Sequence, residues 1–277
     1  MRFRFSLKQL AIVFTVLCVA VGWALTSIQF AKTQWRIEQE VLANLPYNGN
    51  SDYLTTFNQV PILLEPLASV IGRKYFDRII KYDAYGDGLT DENVKQLSKL
   101  KELRVLSLSD NPKITNSSLA YLQSLPHLEK LYLDSTNISD EGMNYISECR
   151  QLRSLHLYET SITDAGLMNL GRLSELETLV LSDTAVGDKA MEGVRNCGNL
   201  CELRIAGTRV TDKGLLQLRN LQQLRRLDTS GPLVTEQGKK SLLELKPDLQ
   251  LDGEWLDQPL KEESIPESTD QDLMFNG

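Results

Sequence analysis

The sequence predicts an α/β solenoid: a horseshoe with a parallel sheet on its concave side and helices on its convex side, preceded by a transmembrane helix. Two observations carry this prediction. An apolar pattern recurs every 24 residues between Ile79 and Leu251, and an uncharged stretch of 23 residues, Gln9 to Ala31, follows Arg2, Arg4 and Lys8. A fixed period of this length marks units that cannot bury an apolar face alone and must stack on their neighbours.

Aligned on the first apolar residue, seven units begin at Ile79, Leu103, Leu128, Leu152, Leu176, Leu200 and Leu224, the second being one residue longer at the turn Asn111-Pro112-Lys113. Two columns show the register. The first reads Tyr82, Leu106, Leu131, Leu155, Leu179, Leu203, Leu227; the second reads Leu89, Ile114, Ile138, Ile162, Val186, Val210, Val234. Stacked at strand spacing, about 4.8 Å, such columns form one continuous core.

Within each unit the Leu-x-x-Leu-x-Leu half alternates with period two and predicts a short strand, whereas Leu167, Leu170 and Leu173 recur every third residue and predict a helix. A hydroxyl followed by an acid precedes the helical half: Thr90-Asp91, Ser139-Asp140, Thr163-Asp164, Thr211-Asp212, Thr235-Glu236. The hydroxyl suits an N-cap and the acid suits the positive end of the helix dipole. Small residues recur shortly afterwards, at Ser118, Gly142, Gly166, Ala190, Gly214 and Gly238. Anything larger is expected to clash with the adjacent unit. The end units are polar where the middle ones are apolar, as at Thr229 and Lys239, which is how a solenoid stops without an adhesive end.

Upstream, the run 9–31 gives about 34 Å of helix against a bilayer core of about 30 Å. Small residues at Ala20, Gly22 and Ala24 keep a cleaved signal peptide as the alternative. The basic residues 1–8 favour a cytoplasmic start, which places the repeats outside the cytoplasm. Trp35, Ile37, Val41, Leu42 and Leu45 extend a juxtamembrane helix, and residues 60–78 are expected to form a helical flank, so that 32–78 caps the first unit. The last segment, 252–277, has eight acids, one base (Lys261) and two prolines, and reads as a disordered acidic tail.

Composition excludes several function classes. A net charge of −7 and no basic stripe argue against nucleic-acid binding. Four cysteines lack metal-ligand spacing and disulfide density, and two histidines leave little for metal or triad chemistry. Neither catalysis, a cofactor, a metal nor a small-molecule substrate is expected.

The repeat resembles the leucine-rich-repeat family. The stretch Thr160-Ser161-Ile162-Thr163-Asp164-Ala165-Gly166-Leu167 is similar to the subtype shared by bacterial repeat proteins and eukaryotic F-box substrate receptors, with Thr136, Thr160, Thr184 and Thr208 where other members carry an Asn or Cys ladder. The layout of basic start, anchor, Trp-containing helix and repeats is similar to bacterial membrane-anchored leucine-rich-repeat proteins. The resemblance implies partner recognition on the concave strand face. Strand alternation turns Tyr132, Asp134, His156, Tyr158, Arg204 and Asp228 to that face, with Tyr132, His156 and Tyr158 the expected hot spot. Cross-strand aromatic packing is the other reading of the same triplet. The expected function is a membrane-tethered scaffold that binds a protein or cell-envelope component. An adaptor like the F-box receptors, or an envelope protein without a specific ligand, are the alternatives.

Overall fold

A computed structural model of the chain describes residues 7–45, 54–57, 78–84, 86 and 88–252, the side chains of 7–21, 23, 24, 54–57 and 78 excepted. The expected flank at 60–77 and the tail from 253 onward lie outside the described residues, as do most side chains of the run 9–31.

Nine strands form one sheet in sequence order: β1 (Leu54–Phe57), β2 (Arg78–Asp83), β3 (Val105–Ser107), β4 (Lys130–Tyr132), β5 (Ser154–His156), β6 (Thr178–Val180), β7 (Glu202–Arg204), β8 (Arg226–Asp228) and β9 (Gln250–Leu251). β2 to β8 are parallel and in register, one strand per repeat, and β9 adds a further parallel strand beyond the last helix, so that Leu106, Leu131, Leu155, Leu179 and Leu203 pair in one row. β1 runs antiparallel to β2 and closes the first edge, a strand that the sequence reading did not foresee. Short helices lie between the strands: α2 (Asp91–Leu97), α3 (Asn116–Leu119), α4 (Asp140–Ile146), α5 (Ala190–Val194), α6 (Asp212–Leu215) and α7 (Glu236–Leu245). The two apolar columns are buried throughout.

α1 is one unbroken helix, Leu7–Ala43. Its last turns belong to the solenoid: Val41 is fully buried in the core cluster, with Ile37, Leu42 and Leu45 packed against it. Among the described residues no helix is long and apolar enough to cross a membrane. The predicted span 9–31 falls on the backbone of α1, with most of its side chains outside that description.

Asp91, Asp140 and Asp212 stand in the first helical turn, as expected, and their carboxylates, with that of Asp188 after Gly187, also reach forward to the next unit. Asp91 accepts from the Thr115 N–H (2.8 Å) and hydroxyl (2.6 Å), Asp140 from those of Thr163 (2.7 and 2.6 Å), and Asp188 from those of Thr211 (2.7 and 2.8 Å). Asp212 does the same for Thr235. Hydrogen bonding to the next unit adds to the helix-dipole placement of these acids. The ladder also explains the small residues. A Cβ on Gly166 would stand 2.5 Å from Asp140 Oδ1, and one on Gly238 would stand 2.1 Å from Asp212 Oδ1.

The column after each strand end is buried and locally bonded. Thr160 and Thr208 donate to the carbonyls of Leu157 and Ile205, each at 2.7 Å, and Thr136 and Thr184 do likewise to Leu133 and Leu181. Asn111 holds the same column in the longer unit. Its amide donates to the carbonyls of Ala84, Leu108 and Ser109, and its oxygen accepts from Leu89 N–H at 2.7 Å.

One residue before this column, the chain turns through left-handed backbone at Asp110 (φ 57°), Ser135 (52°), Glu159 (54°), Asp183 (55°) and Gly207 (67°). The turn keeps each N–H in the inter-unit ladder, as in Ser135 to Tyr158 O (2.8 Å) and Asp183 to Ala206 O (2.8 Å). Only Gly207 is a glycine by necessity of space: a Cβ there would lie 2.0 Å from Asp183 Oδ1.

The far end is closed by polar groups. Buried Thr229 donates its N–H to Asp252 at 2.6 Å, and Lys239 pairs with Asp252 at 2.8 Å. Asp252 is therefore part of the last unit, one residue beyond the expected boundary.

Candidate functional site on the concave face

Parallel register aligns the six expected residues in two rows of the concave face. Ser107, Tyr132, His156, Val180, Arg204 and Asp228 lie side by side across six strands. Asp134 and Tyr158 follow at the ends of β4 and β5. Exposure differs sharply among them.

Tyr132 and His156 stack edge to face, with ring centroids 4.5 Å apart and planes at 62°. The His156 side chain is only 13% exposed. Burial, with the charges of Arg204 and Lys130, pushes its pKa down to about 3. It is therefore neutral at pH 7, and its 3.9 Å approach to Asp134 is a polar contact and not an ion pair. Asp134 is itself held within the fold, accepting from Tyr158 N–H at 2.8 Å and from the Ser109 hydroxyl at 3.2 Å. Burial raises its pKa.

Arg204 and Asp228 were expected to face a partner, and both are engaged within the solenoid. Arg204 Nε donates to buried Glu202 at 2.9 Å, and Arg226 approaches the other oxygen of Glu202 at 3.5 Å. Asp228 is buried and accepts from the N–H (3.0 Å) and hydroxyl (2.8 Å) of Ser230. The expectation of an open Asp228 is corrected on this point: a short acid at a strand end can fold back onto the turn that follows.

Tyr158 alone of the six is exposed, at 39%. The charges of Asp183 and Glu159 raise its phenol pKa, and its hydroxyl bonds Asp183. These two acids sit in the left-handed turn column, which sequence reading passed over. The signal was a fixed column of Asp, Ser, Glu, Asp and Gly after each strand.

Asp134, His156 and Ser154 supply the residue types of a nucleophilic triad, but their geometry does not assemble one. Ser154 Oγ and His156 Nε2 are each shielded and each lack a hydrogen-bond partner, so neither activates the other. The N–H groups of Ser154 and Leu157 bond to Glu129 and Val180, leaving no donor pair there for an oxyanion. Among the described residues no group of three His, Cys, Asp or Glu side chains could hold a metal ion. Buried Cys149 and Cys197 have pKa values raised by burial to about 11 and about 12, as expected of inert core thiols, and Cys201 is exposed.

No curated protein matches the chain. Among solved structures it is similar to an internalin (InlF) of Listeria monocytogenes, with 19% identity over 59% of this chain and 51% of that one and a TM-score of 0.47. It is also similar to an internalin C2 of the same organism, with 25% identity over 64% of this chain and 75% of that one, TM-score 0.48. A third is a leucine-rich-repeat protein of Leptospira interrogans, with 18% identity over 57% of this chain and 45% of that one, TM-score 0.40. The chain thus spans about half the length of InlF. The family model described as Leucine Rich repeat matches residues 124–147, one full period containing β4 and α4.

Proposed function

We propose that the chain is a membrane-tethered scaffold whose concave face recognises a protein or cell-envelope component, with the repeats outside the cytoplasm. The observation that carries this reading is Tyr158, an aromatic 39% exposed on this face, its hydroxyl bonded to Asp183 and its ring open. A rigid strand face loses little conformational entropy on binding, so one aromatic anchor can dominate recognition. The uncharged run 9–31 supports the tether, and the repeat fold supports a binding role.

A second reading has its own observation. The edge-to-face Tyr132–His156 pair stiffens β4 against β5, which is what a structural repeat without a specific ligand would also need. The two separate by substitution. Cross-linking pull-down from the native cells with Tyr158→Ala is expected to lose a partner that the parent chain captures, at an unchanged unfolding midpoint. Tyr132→Ala is expected to lower the midpoint. Identical capture by the Tyr158→Ala chain would remove the recognition role of this face. Protease shaving of intact cells tests the placement: a protected repeat domain would place it in the cytoplasm.

A further inference from the structure

The charges of the concave face are sorted by the ends of its strands. Where the strands begin, acids are matched by arginines. Arg104 reaches Glu129 at 3.0 Å, Arg153 reaches Glu177, and buried Glu202 takes Arg204 at 2.9 Å and Arg226 at 3.5 Å. Lys130 and Arg225 add to this basic side. Where the strands end, Asp110, Glu159 and Asp183 stand in left-handed turns, and among the described residues no ion pair reaches any of the three. The sequence around them offers no base. From Leu131 to Cys149, from Ser154 to Gly171 and from Leu173 to Asp188 the chain has neither lysine nor arginine, and Lys113 and Arg209 belong to the turns on either side.

Tyr158 stands among these acids with its ring exposed. Its hydroxyl bonds Asp183 in the next unit, and Glu159 follows it in the chain, with one carboxylate oxygen on the Ser135 hydroxyl at 3.0 Å. Asp183 and Glu159 raise the phenol pKa, the response of a group in a negative field that no cation offsets. Asp134 adds to that field, its oxygens already engaged by Tyr158 N–H and the Ser109 hydroxyl. Three ligand chemistries can be weighed at such a spot. An acidic group would be repelled by both carboxylates. An apolar group would cover them without pairing them, at the cost of lost hydration. A cation gains twice, from the face of the ring and from the carboxylates beside it. Adjacent units are about 4.8 Å apart at the sheet, so one cationic group can lie between acids of neighbouring turns.

We propose that the partner read at Tyr158 presents a basic side chain, a lysine or arginine whose charged group rests on the phenol ring between the Glu159 and Asp183 carboxylates. The proposal rests on the recognition role of Tyr158 and names the chemistry recognised there. Its probe is a rhodamine-labelled peptide of alternating lysine and serine, titrated with the full chain in mild detergent at low salt and followed by fluorescence anisotropy. Saturable binding is expected. Tyr158→Leu, which keeps an apolar side chain without an aromatic face, should weaken it about two- to five-fold, as should the pair Glu159→Gln and Asp183→Asn. Tyr158→Phe should retain it. The amides keep the shape of the acids, and both turns keep their backbone bonds to Ser182 and Ala206, so unfolding midpoints should match the parent. Glu262→Gln with Glu263→Gln removes the same charge from the acidic tail and should leave binding unchanged. No saturable binding, equal binding of a glutamate–serine peptide, equal weakening by the tail pair, or indifference to the changes at 158, 159 and 183 would overturn the proposal. Cross-linking capture from the native cells, run on the same chains, keeps the underlying reading separate. Capture lost with Tyr158→Leu but kept with the Glu159 and Asp183 pair would leave Tyr158 a recognition residue for a partner of other chemistry and overturn the basic side chain alone. Capture unchanged in every chain would remove both.

Discussion

Gly166→Ala is a test of the inter-unit ladder in which the ordinary expectation has the opposite sign. Gly166 has no left-handed backbone, so adding a methyl group there would normally stabilise by about 0.4–1 kcal/mol through the unfolded state. The solenoid reverses this. The new Cβ would stand 2.5 Å from Asp140 Oδ1, 3.1 Å from Asp140 Cα and 3.1 Å from Met143 Cγ, all in the preceding unit. Asp140 cannot simply turn away, because it accepts from Thr163 N–H and hydroxyl at 2.7 and 2.6 Å. Overpacking of this kind costs about 1–3 kcal/mol. Asp140→Ala alone leaves the Thr163 donors without that partner and costs about 1–3 kcal/mol. In the double variant the methyl group occupies space that the carboxylate has left, so Gly166→Ala should then be neutral or slightly stabilising. The coupling energy of the cycle is expected to be about 2 kcal/mol, read from urea unfolding of the full chain in mild detergent by circular dichroism at constant m value. Additive effects, or a Gly166→Ala chain more stable than its parent, would refute the account of the small-residue column as clearance for the acid ladder.

The same packing sets three further outcomes. His156 is neutral in the fold with a pKa of about 3 against 6.5 when exposed, so its contribution is intact above 6.5 and is lost as pH falls towards 3; the loss should be about 2 kcal/mol by pH 5, and His156→Phe should remove that part of the difference between unfolding curves at pH 7 and pH 5. Asn111→Ala leaves Leu89 N–H and the carbonyls of Ala84, Leu108 and Ser109 without a buried partner, and should cost about 3 kcal/mol or more, whereas Thr160→Val removes one hydroxyl bond and should cost about 1 kcal/mol by the same denaturation assay. Of the three described cysteines, Cys201 should react with a maleimide in the native state, and Cys149 and Cys197 only after unfolding, as peptide mapping by mass spectrometry would show.

The apolar columns were legible in the sequence because burial imposes one requirement on every unit, and a requirement repeated every 24 residues leaves a period. The same held for the small-residue column, where a clash recurs, and for Thr229 and Lys239 at the worn end, whose polar partner Asp252 then proved part of the fold. Asp140 and its equivalents were visible as a column, but only their place in the first helical turn was legible and not their bonds to the next unit, since a bond to a residue 23 positions away leaves no local signal. Asn111 was seen as an insertion, not as the buried hub of four hydrogen bonds, because its partners are 2 to 27 residues away. β1 left no signal: Leu54–Phe57 is four residues with no unit of its own to repeat. The candidate site was less legible still. Alternation says which way a side chain leaves the strand, but not whether it then meets solvent or a neighbour, and Arg204, Asp228 and Asp134 each meet a neighbour.

That difference bears on where specificity can reside. Asp134 bonds backbone and side chain in the units on either side, so replacing it disturbs two interfaces at once, and in a stack stabilised by nearest-neighbour contacts such a change spreads to both. Tyr132 and His156 are tied by their ring contact, and Arg204 by Glu202. Each is constrained by the stack before any partner arrives. Tyr158 is tied within the stack through its hydroxyl, which bonds Asp183, but its backbone N–H, not its side chain, holds Asp134, and any residue supplies a backbone N–H except proline. The position can therefore change its side chain without unbuilding the repeat. Glu159, beside it, keeps its backbone bond to Ser182 whatever side chain projects from the turn, within the limits of left-handed geometry. A repeat protein acquires a new partner most readily at positions where backbone maintains the stack, and Tyr158 and Glu159 are such positions, their side chains held only by the Asp183 carboxylate and by the Ser135 hydroxyl at 3.0 Å.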